Sequence, residues 1–358
     1  MRVALLFPNN LFTSPYLKYY IDILKEENIA YDLYIWDRAN IEEEGCIAFK
    51  CSGNSNSSIA KGLDFLKFRR FLIKNLKNST YSKVIVFSGQ VGILISDFLI
   101  KRYSKKYILD IRDFSQPMKY FKSRFVKVVL NSNFICISSN GFKDWLPPKG
   151  NYLLGHNIDI TLVRNALKNF PFRDYHFNNK ILKISTIGQI KDFNSDALFI
   201  DQLKNDSRFE MQFIGFGPAL NALKDKTNLE QINNIDYKGP YKKEEEPVLL
   251  KDTDFINILI SRTEFNKGAT LLSNRLYLSA LYNIPCIVNK NTEQSRIIEK
   301  YNFGIVVDNY EELPNKLITY KDNFCKKSFL NNCYNFLNDV KTDYSLFQQQ
   351  VTNFLIDK

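Results

Sequence analysis

The 358-residue sequence predicts an α/β protein made of two doubly wound, Rossmann-like domains with a cleft between them. Its length suits two domains, each large enough for its own core. In both halves, short apolar runs alternate with amphipathic segments of helical length, which is typical of parallel strands joined by crossover helices. Residues 165–179 contain Pro171 and have no regular period, so they predict a linker.

The first domain is predicted at residues 1–164 and the second at residues 180–340. In the first, strands are expected at residues 3–7, 31–35, 84–87, 107–111, 133–137 and 152–154, with helices at 14–27, 62–76, 91–103, 117–130 and 139–146. In the second, strands are expected at residues 181–186, 211–214, 235–237, 255–260, 286–288 and 304–307, with helices at 195–205, 219–225, 243–251, 274–281, 294–301 and 313–338.

Composition excludes several classes of protein. Hydrophobic residues make up 45% and charged residues 24%, which is ordinary globular usage rather than disorder. The six cysteines are scattered without a C-x-x-C pair, which argues against a zinc site or a disulfide framework and favours a reducing cytosol. The longest apolar stretch, residues 84–100, contains Ser88, Gln90, Ser96 and Asp97, so no segment is expected to cross a bilayer.

The positive charge is concentrated in one part of the chain. The protein carries a formal net charge of +11, and residues 61–130 alone hold 16 basic and 4 acidic side chains. A one-sided patch of this kind indicates an anionic partner, either nucleic acid or a phospholipid surface, unless it is only a solvated basic face.

Glycines follow two predicted strands of the second domain. Gly188 comes after the first, and Gly215 and Gly217 come after the second, so both turns could bring backbone N–H groups close to phosphate oxygens. The alternative is that these glycines only punctuate turns. The first domain has no glycine in the turn after its first strand and the chain has no P-loop lysine motif, so nicotinamide dehydrogenases and P-loop enzymes are not indicated.

Several short motifs, in order along the chain, resemble bacterial GT-B glycosyltransferases of capsule and exopolysaccharide assembly, near the family four enzymes. They are Asp110-Ile-Arg-Asp113, the segment 137–147, Gly155-His-Asn157, Gly188, Gly215-Phe-Gly217, Gly239, Ser273-Asn-Arg-Leu-Tyr277, Pro285-Cys-Ile-Val288 and Asn291-Thr292. The resemblance implies that the second domain holds a nucleotide sugar and the first holds the acceptor. It also implies that the tail at 341–358 forms a helix that returns to the first domain.

The resemblance implies a donor site with one departure from the family. The glutamate that usually grips the nucleotide ribose is replaced by Leu278, which cannot accept a hydrogen bond from a diol. The nearest substitutes are Ser279, Glu264 and Asn274. The diphosphate is expected against Gly188, Lys191, Gly217, Asn274, Arg275 and Thr292.

No cofactor is expected, because the nucleotide sugar would be a substrate. No metal ion is expected either. In the GT-B class the departing diphosphate is stabilised by basic side chains and helix N-terminal amides. The Asp252-Thr-Asp254 run has the letters of a metal motif, but Asp254 opens an apolar strand, so it is interpreted as a structural turn.

Two residues of the first domain are candidates for the chemistry. Asp113 follows a predicted strand, where it would activate the acceptor or contact the sugar, the alternative being a helix cap. His156 follows the last strand of the domain and would also approach the cleft, the alternative being a buried histidine. For Asp110 and Arg112, a structural ion pair is as good an interpretation as a role in the chemistry.

Residues 117–129 predict a cationic amphipathic helix. Tyr120, Phe121, Phe125, Val128 and Val129 fall broadly on one side of it. The basic residues lie among and beside them: Lys119, Lys122, Arg124 and Lys127. Such a helix lies on anionic lipid, or packs its apolar side on the sheet.

The sequence as a whole predicts a cytoplasmic glycosyltransferase attached peripherally to the inner face of the cell membrane. It would transfer a sugar from a nucleotide donor to a lipid-linked saccharide, with no nucleic acid partner. The alternative is a non-catalytic protein on the same scaffold that binds nucleic acid or an acidic polysaccharide through residues 61–130.

Overall fold

The computed structural model describes residues 1–14, 16–52, 57–172, 177, 180–260 and 267–357. The chain forms two compact units. Unit 1 comprises Met1–Asp159 together with the residues from Asp343 onward, and unit 2 comprises Ile160–Thr342. The chain therefore leaves unit 1 after Asp159 rather than after residue 164.

Unit 1 contains a seven-stranded parallel sheet with the strand order β3-β2-β1-β4-β5-β6-β7. Its elements are β1 Arg2–Phe7, α1 Leu17–Glu26, β2 Ala30–Asp37, β3 Ile47–Lys50, α2 Ser58–Asn78, β4 Lys83–Phe87, α3 Gly89–Leu94, α4 Ser96–Tyr103, β5 Tyr107–Ile111, α5 Gln116–Tyr120, α6 Lys122–Asn131, β6 Ile135–Ile137 and β7 Tyr152–Leu154. Short 3₁₀ turns lie at Leu11–Thr13 and Asn140–Asp144. The strands are nearly all apolar because helices cover both faces of the sheet.

Unit 2 contains a six-stranded parallel sheet with the order β10-β9-β8-β11-β12-β13. Its elements are α7 Ile160–Lys168, β8 Leu182–Gln189, α8 Phe193–Leu203, β9 Phe209–Phe216, α9 Leu220–Leu229, β10 Ile235–Lys238, α10 Glu246–Leu249, β11 Phe255–Asn257, α11 Asn274–Leu281, β12 Cys286–Asn289, α12 Glu293–Tyr301, β13 Gly304–Val307, α13 Leu313–Asp322 and α14 Lys326–Ile356. Short 3₁₀ turns lie at Lys243–Glu245, Gly268–Thr270 and Tyr310–Glu312.

The last helix, α14, belongs to both units. From Asp343 onward it is part of unit 1, where Phe347, Val351 and Phe354 join the core formed by α1 and the sheet. The ring of Phe347 meets that of Tyr20 on α1 at a centroid distance of 5.3 Å. The helix thus supplies part of the core that the first 159 residues leave open.

The two faces of the unit 1 sheet bear different helices. On β2, Leu33 and Ile35 belong to the core shared with α1 and α14, while Tyr34 and Trp36 point the other way and meet α2. Because α3 contacts α2, α5 and α6, and α4 contacts α6, the helices α2 to α6 form one layer. This agrees with right-handed crossovers, which change face when the strand order reverses direction.

Several element boundaries differ from those predicted. The predicted helices at 91–103 and 117–130 are each divided in two, near Ile95 and Phe121. The strand β3 was not predicted, because it is short and only half-buried. Of the predicted linker, residues 165–168 form the end of α7, and residues 173–176, 178 and 179 lie outside the described residues.

Candidate functional site

The carboxyl ends of β8 and β9 bring the predicted glycines together. Gly188 pairs with Gly215 in register, and a side chain on Gly215 would overlap the carbonyl oxygen of Gly188. A side chain on Gly217 would likewise overlap the carbonyl oxygen of Ile190. These two glycines are therefore required by the close approach of two backbone segments.

Gly188 differs from the other two. Its φ is +97°, a conformation that favours glycine, yet a Cβ there would meet nothing nearer than the hydroxyl of Tyr241, at 3.9 Å. The space beside this backbone is open. Of Gly188, Gly215 and Gly217, it is the one beside which a ligand could approach the main chain closely.

Three of the helices that begin at this edge of the unit 2 sheet have a capping side chain. Asp192 accepts a hydrogen bond from the Ser195 amide at the start of α8, at 3.2 Å. Ser273 caps α11, and Thr292 caps α12. Helix N-termini carry partial positive charge and unsatisfied amides, so their convergence favours an anion at this edge.

Gln294 joins two of these helix starts. Its side-chain oxygen accepts from the Ser273 amide at 3.1 Å, and its side-chain nitrogen donates to the carbonyl of Ile258, just beyond β11, at 3.4 Å. The Gln294 side chain is fully buried, so the starts of α11 and α12 are held together by a satisfied interior amide.

Arg275, in the first turn of α11, reaches back to the strand ends. Its guanidinium donates to the carbonyls of Ile187 at 2.6 Å, Gln189 at 3.0 Å and Asn257 at 3.4 Å. Burial lowers the pKa of Arg275, while the negative charges of Asp196 and Asp192 act to raise it. A guanidinium has five N–H donors, so these bonds leave donors with which it could meet an anion.

Asp196, in the first turn of α8, is a site residue that sequence reasoning missed. Its side chain is buried, and burial raises its pKa to about 7; the charge of Arg275 acts to lower that pKa and the charge of Asp192 acts to raise it. The carboxyl group therefore titrates near neutral pH. An acidic residue at a helix start normally indicates a dipole partner on the surface, so the sequence carried no sign of this burial.

A second acidic group lies beyond Gly188. The buried side chain of Glu246 accepts hydrogen bonds from the hydroxyls of Tyr241 at 3.4 Å and Tyr282 at 3.2 Å. Burial raises the pKa of Glu246, and burial together with the nearby Glu246 charge raises the pKa of Tyr241 to about 12. The hydrogen bond to Glu246, which Tyr282 also holds, fixes the Tyr241 hydroxyl next to the open space beside Gly188.

Of the remaining predicted donor-site residues, two are open to solvent. Lys191 is exposed and has no hydrogen-bond or ion-pair partner among the residues described. Asn274, the first residue of α11, is also exposed. Glu264 lies outside the described residues.

Two of the predicted donor-site residues have structural roles. Thr292 is buried; its hydroxyl donates to the Asn289 carbonyl at 2.7 Å and accepts from the Ser295 amide at 3.1 Å, so it serves as a helix cap. Ser279 is fully buried and donates to the Ile284 carbonyl at 2.5 Å. Ser279 therefore faces the interior and is not available to a ribose, which corrects its place among the candidates.

Phe216 was also overlooked. It is the last residue of β9, pairs in register with Gln189, and is 63% exposed. The two glycines beside it press the main chain against residues 188–190, so its ring is left in solvent at the sheet edge. An exposed aromatic ring here offers a stacking surface for a flat ligand group.

In unit 1, Asp110 and Arg112 form a buried structural ion pair. The Arg112 guanidinium donates to both Asp110 oxygens, at 2.6 and 2.8 Å, and to the Gly155 carbonyl at 2.5 Å. Tyr20 donates to Asp110 at 2.6 Å. This network fixes the backbone just ahead of His156.

The two candidate catalytic residues lie at the same edge of the unit 1 sheet. Asp113 is exposed and stands two residues beyond the end of β5. His156 stands two residues beyond the end of β7, is buried, and its Nε2 lies 3.0 Å from an Asp343 oxygen. A carboxylate at that distance fixes the orientation of the imidazole ring.

The predicted cationic helix consists of two short helices, α5 and α6, and only part of its apolar side is buried. Phe125, Val128 and Val129 are buried, whereas Tyr120 and Phe121 are exposed. All four basic residues are exposed, and none of them has an ion-pair partner in the described part of the chain: Lys119, Lys122, Arg124 and Lys127.

These four residues belong to a wider basic layer, defined as the outer surface of helices α2 to α6. Together the five helices carry twelve basic and two acidic residues. On the opposite face, α1 and the α14 residues from Asp343 onward carry two basic and three acidic residues. The charge excess of the chain thus lies on one side of the unit 1 sheet.

Across the described residues, no helix is long and apolar enough to span a membrane. Within the same residues, no cluster of three or more histidine, cysteine, aspartate or glutamate side chains could hold a metal ion. Two shallow depressions in unit 2 lie at the amino ends of strands β8 to β10 and β13. Ligands of parallel α/β sheets bind at the opposite, carboxyl edge, so these depressions are not candidate sites.

No protein-family model and no curated protein sequence matches the chain. Solved structures do. HepE from Anabaena in complex with UDP is 11% identical over 99% of this chain and 100% of that chain, with a TM-score of 0.67. The lipopolysaccharide outer core galactosyltransferase WaaB in its apo form is 12% identical over 99% of both chains, with a TM-score of 0.66. Sucrose-phosphate synthase from Thermosynechococcus elongatus is 10% identical over 98% of this chain and 99% of that chain, with a TM-score of 0.66.

At these identities the likeness concerns the fold. It extends over nearly the full length of each protein, and both sheets of the present structure are parallel and doubly wound. The predicted architecture is therefore confirmed: two Rossmann-like domains and a C-terminal helix that returns to the first, which is the GT-B fold of glycosyltransferases.

Proposed function

We propose that this protein is a glycosyltransferase that moves a sugar from a nucleoside diphosphate sugar to a lipid-linked saccharide in surface polysaccharide assembly. The observation that carries the proposal is the carboxyl edge of the unit 2 sheet, where three helix starts and Arg275 converge beside the open backbone of Gly188. UDP is bound by the neighbour HepE, which shares the fold over its full length.

The chemistry of the edge suits a departing diphosphate. Breaking the bond to the sugar leaves negative charge on the diphosphate, and fixed amide dipoles with a guanidinium stabilise that charge without a metal ion. Lys191, exposed and without a carboxylate partner among the described residues, supplies a second cation. The Phe216 ring gives the nucleobase a stacking surface, and Asn274 is the remaining described candidate for the ribose.

Unit 1 takes the acceptor. Asp113, exposed at the end of β5, removes a proton from the acceptor hydroxyl or contacts the sugar, and His156 with Asp343 is the other acid–base group at that edge. The basic layer, with Lys119, Lys122, Arg124 and Lys127 exposed, holds unit 1 against anionic lipid at the inner face of the cell membrane.

Thermal unfolding with UDP, GDP, ADP and their sugars tests the donor part of the proposal. One nucleotide should raise the melting temperature, because a ligand that binds only the folded state stabilises it by mass action. Lys191→Ala should reduce that rise, while Lys327→Ala, an exposed lysine of α14 in the same unit, should not. Transfer from the selected donor to a polyprenyl-diphosphate saccharide then tests the reaction.

The alternative function makes the opposite prediction. A protein that only binds polyanions would respond to no nucleotide and would instead be stabilised by RNA or an acidic polysaccharide. That pair of results would reject the glycosyltransferase and leave the basic layer as the functional surface.

A further inference from the structure

Helix α2 has an exposed stripe along its outer side. Its inner side packs on the sheet through Phe68, Leu72 and Leu76, which are fully buried, and Phe65 meets the Trp36 ring at 4.9 Å. The outer stripe carries six residues at spacings of three or four, all exposed: Ile59, Leu63, Leu66, Arg70, Lys74 and Lys77. Residues at these spacings lie on one face of a helix.

The stripe is apolar at its start and basic beyond. Ile59 is 78% exposed, Leu63 53% and Leu66 50%, so three large aliphatic side chains in succession lie in solvent. Water-exposed aliphatic side chains are unremarkable when they are single, but three adjacent ones on a helix mark a contact surface. We call Ile59, Leu63 and Leu66 the α2 ridge.

The charges beside the ridge are not neutralised within the described residues. Arg70, Lys74 and Lys77 have no ion-pair partner there, and the one acidic residue of α2, Asp64, pairs with Lys67 at 3.0 Å. The rest of the basic layer adds to the same positive field. An occupant of this surface must therefore offer negative charge to the basic part and an apolar phase to the ridge.

We propose that the α2 ridge inserts into an anionic lipid bilayer while Arg70, Lys74 and Lys77 bind the headgroups. Nucleic acid or an acidic polysaccharide would match the charges but would give three aliphatic side chains no apolar environment. A second copy of this chain would bring a second basic layer close to the first. A bilayer with anionic lipids satisfies both halves of the stripe.

This inference rests on the proposed function, which places the acceptor in a membrane, but it concerns a helix of unit 1, whereas the donor-site residues belong to unit 2. It distinguishes attachment by charge alone, which salt abolishes, from insertion, which persists in part because apolar burial is not screened.

The test compares three forms of the full chain for binding to vesicles of phosphatidylglycerol mixed with phosphatidylcholine. The ridge variant is Ile59→Ser, Leu63→Ser and Leu66→Ser. Its control is Leu198→Ser, Leu229→Ser and Val248→Ser, which replaces exposed aliphatic residues of unit 2. Because all six side chains are exposed, both variants should fold, and equal melting temperatures check this. At physiological salt the ridge variant should lose at least ~10-fold in vesicle binding and the control should match the unaltered protein.

A second measurement reports insertion directly. Leu63→Trp should show a blue shift of its fluorescence with anionic vesicles and quenching by brominated acyl chains. Neither native tryptophan belongs to the α2 ridge, since Trp36 is buried and Trp145 is half-buried elsewhere in unit 1, so the change relative to the unaltered protein reports on the ridge. Unchanged binding by the ridge variant, or no spectral shift of the new tryptophan, would overturn the inference. Vesicle binding is measured without nucleotide, so a failure of the proposed glycosyltransferase function would appear separately, as the absence of any nucleotide response.

Discussion

Replacing Asp196 by asparagine should stabilise the protein at alkaline pH and leave its stability at acidic pH unchanged. The carboxyl group is buried at the start of α8, and its pKa is raised from an ordinary 3.8 to about 7, chiefly by burial. The folded chain therefore binds a proton between about pH 4 and 7 that the unfolded chain does not. Stability rises as pH falls through that window.

The size of the effect follows from the same values. Each pKa unit is equivalent to about 1.4 kcal/mol, so keeping the ionised carboxylate in its buried position costs up to about 4 kcal/mol at pH 8. Asparagine is nearly the same shape and carries no charge. The stability difference between Asp196→Asn and the unaltered protein should approach that value at pH 8, shrink as the pH falls below about 7 and nearly vanish by about pH 4.

The stability of unit 2 is measured by urea unfolding at a series of pH values, with amide hydrogen exchange in peptides from β8 and β9 as the signal. Asp225→Asn is the control, because Asp225 is an exposed carboxylate of α9 in the same unit. Its effect should be small and independent of pH. A stability difference for Asp196→Asn that is equally flat, or one that grows toward acid, would refute the reasoning.

Three further predictions concern binding and turnover. Arg275→Ala should weaken nucleoside diphosphate binding, measured by calorimetry, by ~1 to 3 kcal/mol, the usual loss of a charge-assisted contact, and an unchanged affinity would remove Arg275 from the site. Asp113→Asn should lower turnover at least ~100-fold while donor affinity stays constant, and normal turnover would make His156 the leading candidate. The third variant replaces the four exposed basic residues of α5 and α6, Lys119, Lys122, Arg124 and Lys127, by glutamine. It should sediment less with anionic vesicles, and high salt should have the same effect on the unaltered protein. Equal sedimentation of the unaltered protein with neutral and anionic vesicles would show that these residues form only a solvated face.

The fold was predictable because the strands of both sheets are buried on two faces and appear as continuous apolar runs. The strand at Gly304–Val307 and the helix at Asn274–Leu281 have the bounds predicted for them. Short elements at the margin carried less signal. The edge strand β3 has only four residues, and the break between α5 and α6 at Phe121 leaves the apolar pattern almost continuous.

The site was less predictable, since a motif gives sequence neighbours and a site needs side-chain directions. Ser279 is adjacent to plausible ligand contacts in sequence, but the buried positions Leu276 and Ala280 of α11 set a helical phase that turns it inward. That phase was readable from the apolar spacing. The burial of Asp196 was not, because it depends on how α8 packs against α9, α13 and β9.

The return of α14 to unit 1 also sets an order for folding on the ribosome. The core between α1 and the sheet needs Phe347, Val351 and Phe354, and Lys83 donates hydrogen bonds to the carbonyls of Phe354 and Asp357. These residues follow the whole sheet of unit 2 in the chain, so the ribosome makes them after it. Unit 2, although encoded later, has its whole sheet available before unit 1 can close. The nascent first half must wait with an apolar face uncovered, so loss of the final two turns of α14 would leave unit 1 incomplete and exposed to aggregation, with unit 2 still able to fold.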